Sequence, residues 1–413
     1  DMAQAYAQAT QALSPFWQRR CLAVALERAL MHMGCCLLIY YEAHIEPPRG
    51  LWKAIHPLYL QALKTGIHTR QVKDSYLAVA ASITPEDAYK RILLLSIADP
   101  FHLHRLDFHK LYKALEIWAG EVHLLHPDGP HPPKGFRIDP QSDAPPQAFS
   151  WKRPRVSGLT LDASMLVEKL AKDPGILTAR SGETLTFPDH LRDTLIHHWQ
   201  AFPVTREPRL RRDTPVSVAI GLTAIHRLLA RPLPPANHTL AIMETDAHAE
   251  RSTRPSADLE SPPRILKGRI VDESSQGCRL RLEDLYPANL QVGEAISLHA
   301  QGRTKVGIIR WIKGSEMGIK CLSECPETAW IKRENRGISS PALWFRPSGQ
   351  LLTLPLFRTG DVIELRLPQD TFKARLAERL EESYALKVFF IALLSETLNH
   401  PGHPDEALWS QLI

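Results

Sequence analysis

Cysteine is scarce: six residues in 413, scattered as Cys21, Cys35, Cys36, Cys278, Cys321 and Cys325. That spacing excludes a disulfide-stapled scaffold and leaves reduced thiols as the simplest account. Cys321-x-x-x-Cys325 has no second Cys or His pair nearby at zinc-site spacing, so no metal site is expected. Long uncharged runs are also missing. The most apolar early stretch, Leu22 to Tyr41, contains Glu27, Arg28 and His32 and reads as a buried helix, so no transmembrane segment is expected. No basic patch precedes an apolar core and a small-residue cleavage site, so nothing signals export and a cytoplasmic location is expected. Reactive motifs are absent too: no Gly-x-Ser-x-Gly, phosphate loop, His-Glu-x-x-His, Rossmann glycines or glycine-rich kinase loop. No enzyme, no catalytic residue and no cofactor is therefore expected. The net charge of +5 is small, compatible with an anionic ligand but far from the footprint of a duplex-binding protein.

What is present is a long chain with 33 prolines against 21 glycines, which implies stiff linkers and more than one core. Residues 1–125 read as a helical interaction domain. A long helix is expected over Pro15 to Tyr41, then a short one with Leu51, Ile55, Leu58 and Ala62 on one face and Gly66 beyond its end. Thr84-Pro85-Glu86-Asp87 is a helix start, and Phe108, Leu111, Leu115 and Trp118 form a buried stripe. Residues 126–258 read as a mixed α/β middle domain with linkers, containing helices near Asp162–Leu170 and His190–Trp199 and a strand from Pro215 to Ile220. Just before that strand, Arg206-Glu207-Pro208-Arg209-Leu210-Arg211-Arg212 is the densest basic cluster, either a phosphate-binding element or a solvated turn.

From Arg264 the pattern becomes β. A strand over Ile265–Val271 meets a turn at Asp272-Glu273-Ser274-Ser275-Gln276-Gly277, and then Cys278, Leu280 and Leu282 alternate with Arg279 and Arg281. Strands around Ile296, Val306–Ile312 and Met317–Leu322 complete a small antiparallel barrel, and further strands are expected within 351–393. The later strands could extend the barrel or form a sister β domain, and residues 259–413 are read as barrel plus β extension.

Asp272-x-Ser274-x-x-Gly277, with a strand before it, Gly293 in a following turn, and Trp311 and Gly318 in later strands, resembles the Asp/Asn-x-Ser-x-x-Gly motif of PilZ domains. The resemblance covers Arg264 to Leu322. Taken with the patterns before it, this sets the expected fold class as α+β multidomain: an N-terminal helical domain, a mixed α/β middle segment and a C-terminal antiparallel PilZ-like barrel with extra strands. The resemblance implies a ligand, the bacterial second messenger cyclic di-GMP, held in the family by this turn and an upstream Arg-x-x-x-Arg. Carried over by position, Asp272, Ser274 and Gly277 would bind the bases. Gly277 would either let backbone approach the ligand or supply a positive φ in a tight turn.

The arginine pair departs from the family pattern. Arg251 and Arg254 lie at a suitable distance but are spaced Arg-x-x-Arg, and Arg206, Arg209 and Arg264 are further candidates for phosphate. Two functions stay open: a cyclic-di-GMP receptor that relays binding through the helical domain to a protein partner, and an adaptor that no longer binds nucleotide. A polyanion-binding middle region is a third, with nucleic acid the less expected partner.

Overall fold

A computed structural model describes residues 2–14, 18–126, 135–149, 158–172, 177–200, 208–230, 264–285, 287, 290–334 and 339–395. The chain forms two compact units, one of residues 1–208 with 311–316, the other of 209–310 and 317–413.

The first unit is helical with small sheets: α1 (Met2–Ala12), α2 (Arg19–Glu42), α3 (Leu51–Lys64), α4 (Pro85–Ile97), α5 (Arg105–Trp118), α6 (Ser164–Lys172) and α7 (Asp189–Trp199). The helix expected from Pro15 thus begins at Arg19, separated from an earlier helix. Thr84 caps α4 by accepting the Asp87 N–H at 3.0 Å, leaving Pro85 in the first turn where its missing N–H costs nothing. Gly66, at φ +65°, closes α3, with its N–H donating to Leu63 O and that of Ile67 donating to Ala62 O.

By length and composition α2 could cross a membrane, but 67% of its most apolar window is buried inside the protein. It is the central core helix, with Leu22, Leu26, Leu30 and Leu37 wholly enclosed, each burial contributing roughly 1.5–3 kcal/mol. One core runs from Ala3 to Trp199 without a break near residue 125. Trp199 of α7 stacks edge-on against Trp118 of α5 and donates its indole N–H to Leu94 O at 3.3 Å.

Polar groups inside this unit are mostly satisfied. Buried Arg91 donates twice to Tyr112 O, pairs with Glu116 at 3.3 Å and lies over the Tyr112 ring. Glu27 is an exception that bears on stability. Both its carboxyl oxygens and Oδ2 of Asp74 have no donor among the described residues. A proton on Glu27, donated to Asp74, accounts for the pair. Burial, reinforced by the Asp74 charge, pushes the Glu27 carboxyl up to about 8.

The second unit contains two closed antiparallel barrels. The first is built from β1 (Leu210–Ile220), β2 (Leu266–Glu273), β3 (Gly277–Leu282), β4 (Ala295–Ala300), β5 (Arg303–Lys313) and β6 (Glu316–Ser323), ordered β1-β2-β3-β6-β5-β4 and back to β1. The strand expected from Pro215 is therefore a stave of this barrel, although α8 (Leu222–Ala230) and a long segment separate it from β2.

The second barrel uses β7 (Glu327–Arg333), β8 (Ser339–Phe345), β9 (Gln350–Thr353), β10 (Val362–Arg366), β11 (Thr371–Glu382) and β12 (Lys387–Ser395), ordered β7-β8-β9-β12-β11-β10 and back to β7. Strand for strand this is the connectivity of the first barrel. The strands expected beyond residue 350 thus form a separate closed barrel rather than widening the first.

Helix α8 joins the two barrels. Gly221, at φ +92°, turns the chain out of β1, and Leu222 and Ile225 pack with Val306 and Ile308 of the first barrel and Leu343, Phe345 and Val388 of the second. The ring of His226, also on α8, lies 3.0 Å from Ala329 O of β7. Burial holds that imidazole below its ordinary pKa, so it sits neutral in the joint.

The turn of the first barrel and its arginines

The site grows from an irregularity in β2. Between Ile270 and Asp272 the register shifts on both sides: against β3 the extra residue is Val271, the signature of a β-bulge, while against β1 the extra residue lies on β1, between Arg211 and Thr214. A bulge inserts one extra residue and re-aims the next side chain. Here it sets Asp272 opposite Arg279 instead of Cys278 on β3, while Asp272 stays on the buried face shared with Leu266, Gly268 and Ile270 and is 7% exposed. In register, Asp272 stands opposite Arg211 on β1 and Arg279 on β3.

Its two oxygens are divided between two guanidinium groups. Arg209, just before β1, donates to Oδ1 at 2.8 Å, and Arg279 donates to Oδ2 at 2.7 Å. A mostly enclosed carboxylate facing charged donors on both sides is a charge-assisted arrangement, stronger than neutral hydrogen bonds of the same length.

Beside it, Glu273 accepts from Lys305 of β5 at 2.8 Å and lies 3.5 Å from Arg212. Lys305 also reaches Glu324 at 2.7 Å, and these two carboxylates raise its pKa and keep it charged. Arg209, Arg211, Arg212, Arg279 and Lys305 therefore surround a turn whose nearby acids are Asp272, Glu273 and Glu324. The balance is basic, which suits a phosphate-bearing ligand.

The turn itself is tight. Ser274 N–H donates to Gly277 O at 2.8 Å, and the Ser274 hydroxyl donates to the same oxygen at 3.3 Å. Gly277 does not have the positive φ that is one reading of its place in the motif. Its requirement is steric, because a Cβ there would stand 2.0 Å from Ile319 O on β6.

Among the residues expected from sequence, Asp272, Ser274, Gly277 and Arg209 come together at this turn. Arg264 does not: it is exposed and precedes β2 at the end away from the turn, roughly 25 Å of extended chain from Asp272. Arg206, Arg251 and Arg254 lie outside the described residues. Sequence reasoning missed Arg279 and Lys305, which look like ordinary outward-facing residues of alternating strands. Only the pairing of strands brings Arg279 to Asp272 and Lys305 to Glu273.

Among its described residues the second barrel has no equivalent acceptor at this place. At its corresponding turn, the penultimate residue of β8 is Trp344, where β2 has Asp272. The polarity of the neighbouring ion pair is reversed: Arg346 of the turn pairs with Glu327 at the start of β7, 3.0 Å away, and covers the Trp344 ring.

Comparison with known proteins bears on both units. Residues 1–130 match the family model of the N-terminal domain of the cyclic-di-GMP receptor FimW, and residues 233–326 match the model of that receptor's middle PilZ domain. The PilZ match is thus in the middle of the chain and not in its last third, because the residues after 326 build a barrel of their own. The cyclic-di-GMP receptor FimW of Pseudomonas aeruginosa is 25% identical over an alignment of 431 positions, covering 86% of this chain and 70% of that protein.

Proposed function

We propose that this chain is a receptor for cyclic di-GMP, binding it at the Asp272–Gly277 turn of the first barrel and relaying occupancy to a protein partner through the helical unit. It acts as a binding protein in the cytoplasm and not as an enzyme. The observation that carries the reading is the Arg209–Asp272 pair, which couples the basic segment before β1 to the motif turn across 63 residues of sequence.

A cyclic dinucleotide offers two phosphodiesters and two guanines. Guanidinium forks match the phosphates and stack on purine planes, while Ser274 and the turn backbone meet base edges. Each charge-assisted hydrogen bond is worth ~1.5–3 kcal/mol, and a micromolar site needs about 8 kcal/mol in all, so a few such contacts suffice. Arg206, Arg251 and Arg254 remain candidates to complete the set. The name of the Pseudomonas relative and the PilZ match support the same ligand.

Within the second unit, the site is continuous with the joint between the barrels. The strand that follows Arg209 leads through Gly221 directly into α8, which packs against the second barrel. Ligand can shift such an arrangement only by binding one state more tightly than another.

One observation favours a second reading, an adaptor that binds no nucleotide: both oxygens of Asp272 are already occupied by the chain's own arginines. Isothermal titration with cyclic di-GMP separates the two. The receptor reading expects saturable binding in the micromolar range or tighter, weakened at least tenfold in Arg209→Ala. No heat with tens of micromolar protein refutes it.

A further inference from the structure

We propose that Cys278 and Cys321 form a peroxide-sensitive dithiol that closes to a disulfide between β3 and β6 and so resets the motif turn. Formation of the bridge is independent of the cyclic-di-GMP reading, and only its effect on affinity rests on that reading.

Strand geometry brings the two thiols together. Cys321 N–H donates to Gln276 O at 3.1 Å, so Cys278, two residues on, is the diagonal neighbour of Cys321 across an antiparallel pair. Diagonal neighbours share a face and stay within reach of one another. The backbones also approach closely here, because β6 has a glycine against it on each side. A Cβ on Gly277 would lie 2.0 Å from Ile319 O, and one on Gly307 of β5 would lie 2.4 Å from Lys320 O. The two thiols accordingly hydrogen-bond to each other.

The pair is asymmetric. Cys278 is 2% exposed, on the inward face with Leu280 and Leu282, whereas Cys321 is half-buried. The hydrogen bond from Cys278, and then the charge of Lys305 on β5, hold the Cys321 thiol below its ordinary range. The same bond, and then burial, hold Cys278 above it. Cys321 is thus the nucleophile and Cys278 the resolving thiol.

The Cys321 thiolate attacks one oxygen of hydrogen peroxide, the O–O bond breaks, and the departing hydroxide takes up a proton as water. The Cys278 sulfur then attacks the Cys321 sulfenic acid, and its proton leaves with the hydroxyl as a second water. Two thiols lose two electrons and one peroxide gains them. A disulfide needs Cα atoms within about 6.8 Å, and diagonal strand neighbours start at roughly 7–8 Å, so closure moves β3 against β6. Gly277, the last residue of the turn and next to Cys278, moves with it. Strain in such a bridge makes it easier to reduce, as a reversible device requires.

The test treats the reduced full chain with hydrogen peroxide, maps its thiols by mass spectrometry after digestion and titrates it with cyclic di-GMP. The expected product is a Cys278–Cys321 peptide pair two hydrogens lighter than its reduced halves, undone by a dithiol reductant. In Cys278→Ser, Cys321 should stop at the sulfenic acid and be trapped by dimedone. Cys321→Ser, at the half-buried position, should form no bridge, and Cys325→Ser should form it as wild type does. Oxidised wild type should bind cyclic di-GMP at least tenfold more weakly than reduced, and Cys321→Ser should bind alike with and without peroxide.

Peroxide that oxidises Cys21, Cys35, Cys36 or Cys325 before Cys321, or leaves Cys278 and Cys321 unbridged, overturns the proposal whatever the ligand does. A bridge that forms without changing affinity overturns its link to the turn. A bridge in a protein that binds no cyclic di-GMP upholds the dithiol and removes only the receptor reading.

Discussion

Gly277 and Ile319 touch backbone to backbone: a Cβ on the glycine would lie 2.0 Å from the Ile319 carbonyl oxygen and 3.3 Å from the Cα of Lys320. No side-chain rotation relieves contacts with main chain. Gly277→Ala must therefore push β3 from β6, and overpacking of this kind costs about 1–3 kcal/mol. Chemical denaturation of the second unit should show that loss without any ligand present. An unchanged midpoint would mean that the glycine serves the ligand and not the barrel.

The Asp272 ion pairs make an ordered prediction. Removing Asp272 leaves two guanidiniums without their shared acceptor, whereas removing Arg209 leaves Asp272 still bonded to Arg279. Asp272→Ala should therefore destabilise the ligand-free protein by about 1–3 kcal/mol, and Arg209→Ala, at a largely exposed position, by less than about 1 kcal/mol. A double-mutant cycle measures the coupling directly. Equal losses in the two single variants would contradict the geometry.

In the helical unit, stability should fall as pH rises. The Glu27 carboxyl titrates near 8 in the folded chain against an ordinary value of 4.5, so between these values the folded state holds a proton that the unfolded state has lost. Its stabilisation is complete below about pH 4.5 and declines towards pH 8, at a slope of at most ~1.4 kcal/mol per pH unit. Glu27→Gln keeps the hydrogen bond to Asp74 without the titration. Denaturation at pH 6 and pH 8 should show a smaller difference in this variant than in wild type, and equal differences would count against a shared proton.

Nucleotide binding should be confined to one barrel. The second barrel has Trp344 at the place of Asp272, and its turn arginine is tied to Glu327. Arg346→Ala should leave the stoichiometry and affinity for cyclic di-GMP unchanged. A drop in stoichiometry in this variant would reveal a second site.

Much of this was legible in the sequence, for identifiable reasons. The Thr84 cap, Gly66 and the Phe108–Trp118 stripe are local devices, set by neighbouring residues. The β alternation from Leu266 and the Asp272–Gly277 turn are equally local. The arginine side of the site was not, because Arg209 reaches Asp272 only through a strand pairing that spans α8 and the segment after it. The bulge at Val271 leaves no compositional trace, yet it decides which residue of β3 stands opposite Asp272. The strands after residue 350 leave extension of the first barrel and a sister β domain both open, since nothing in a single strand announces closure.

The pairing of β1 has a practical consequence for anyone dividing this protein into parts. The PilZ match begins at residue 233, while the strand that closes the barrel ends at Ile220. A truncation that starts where the match starts removes a stave, leaving Leu266–Glu273 and Ala295–Ala300 as raw edges with open ladder groups. Such a fragment should self-associate, and it would lack Arg209 however well it folded. The stretch recognised by family resemblance and the piece that folds cooperatively are different lengths of the same chain, and only a cut upstream of Arg209 respects the second.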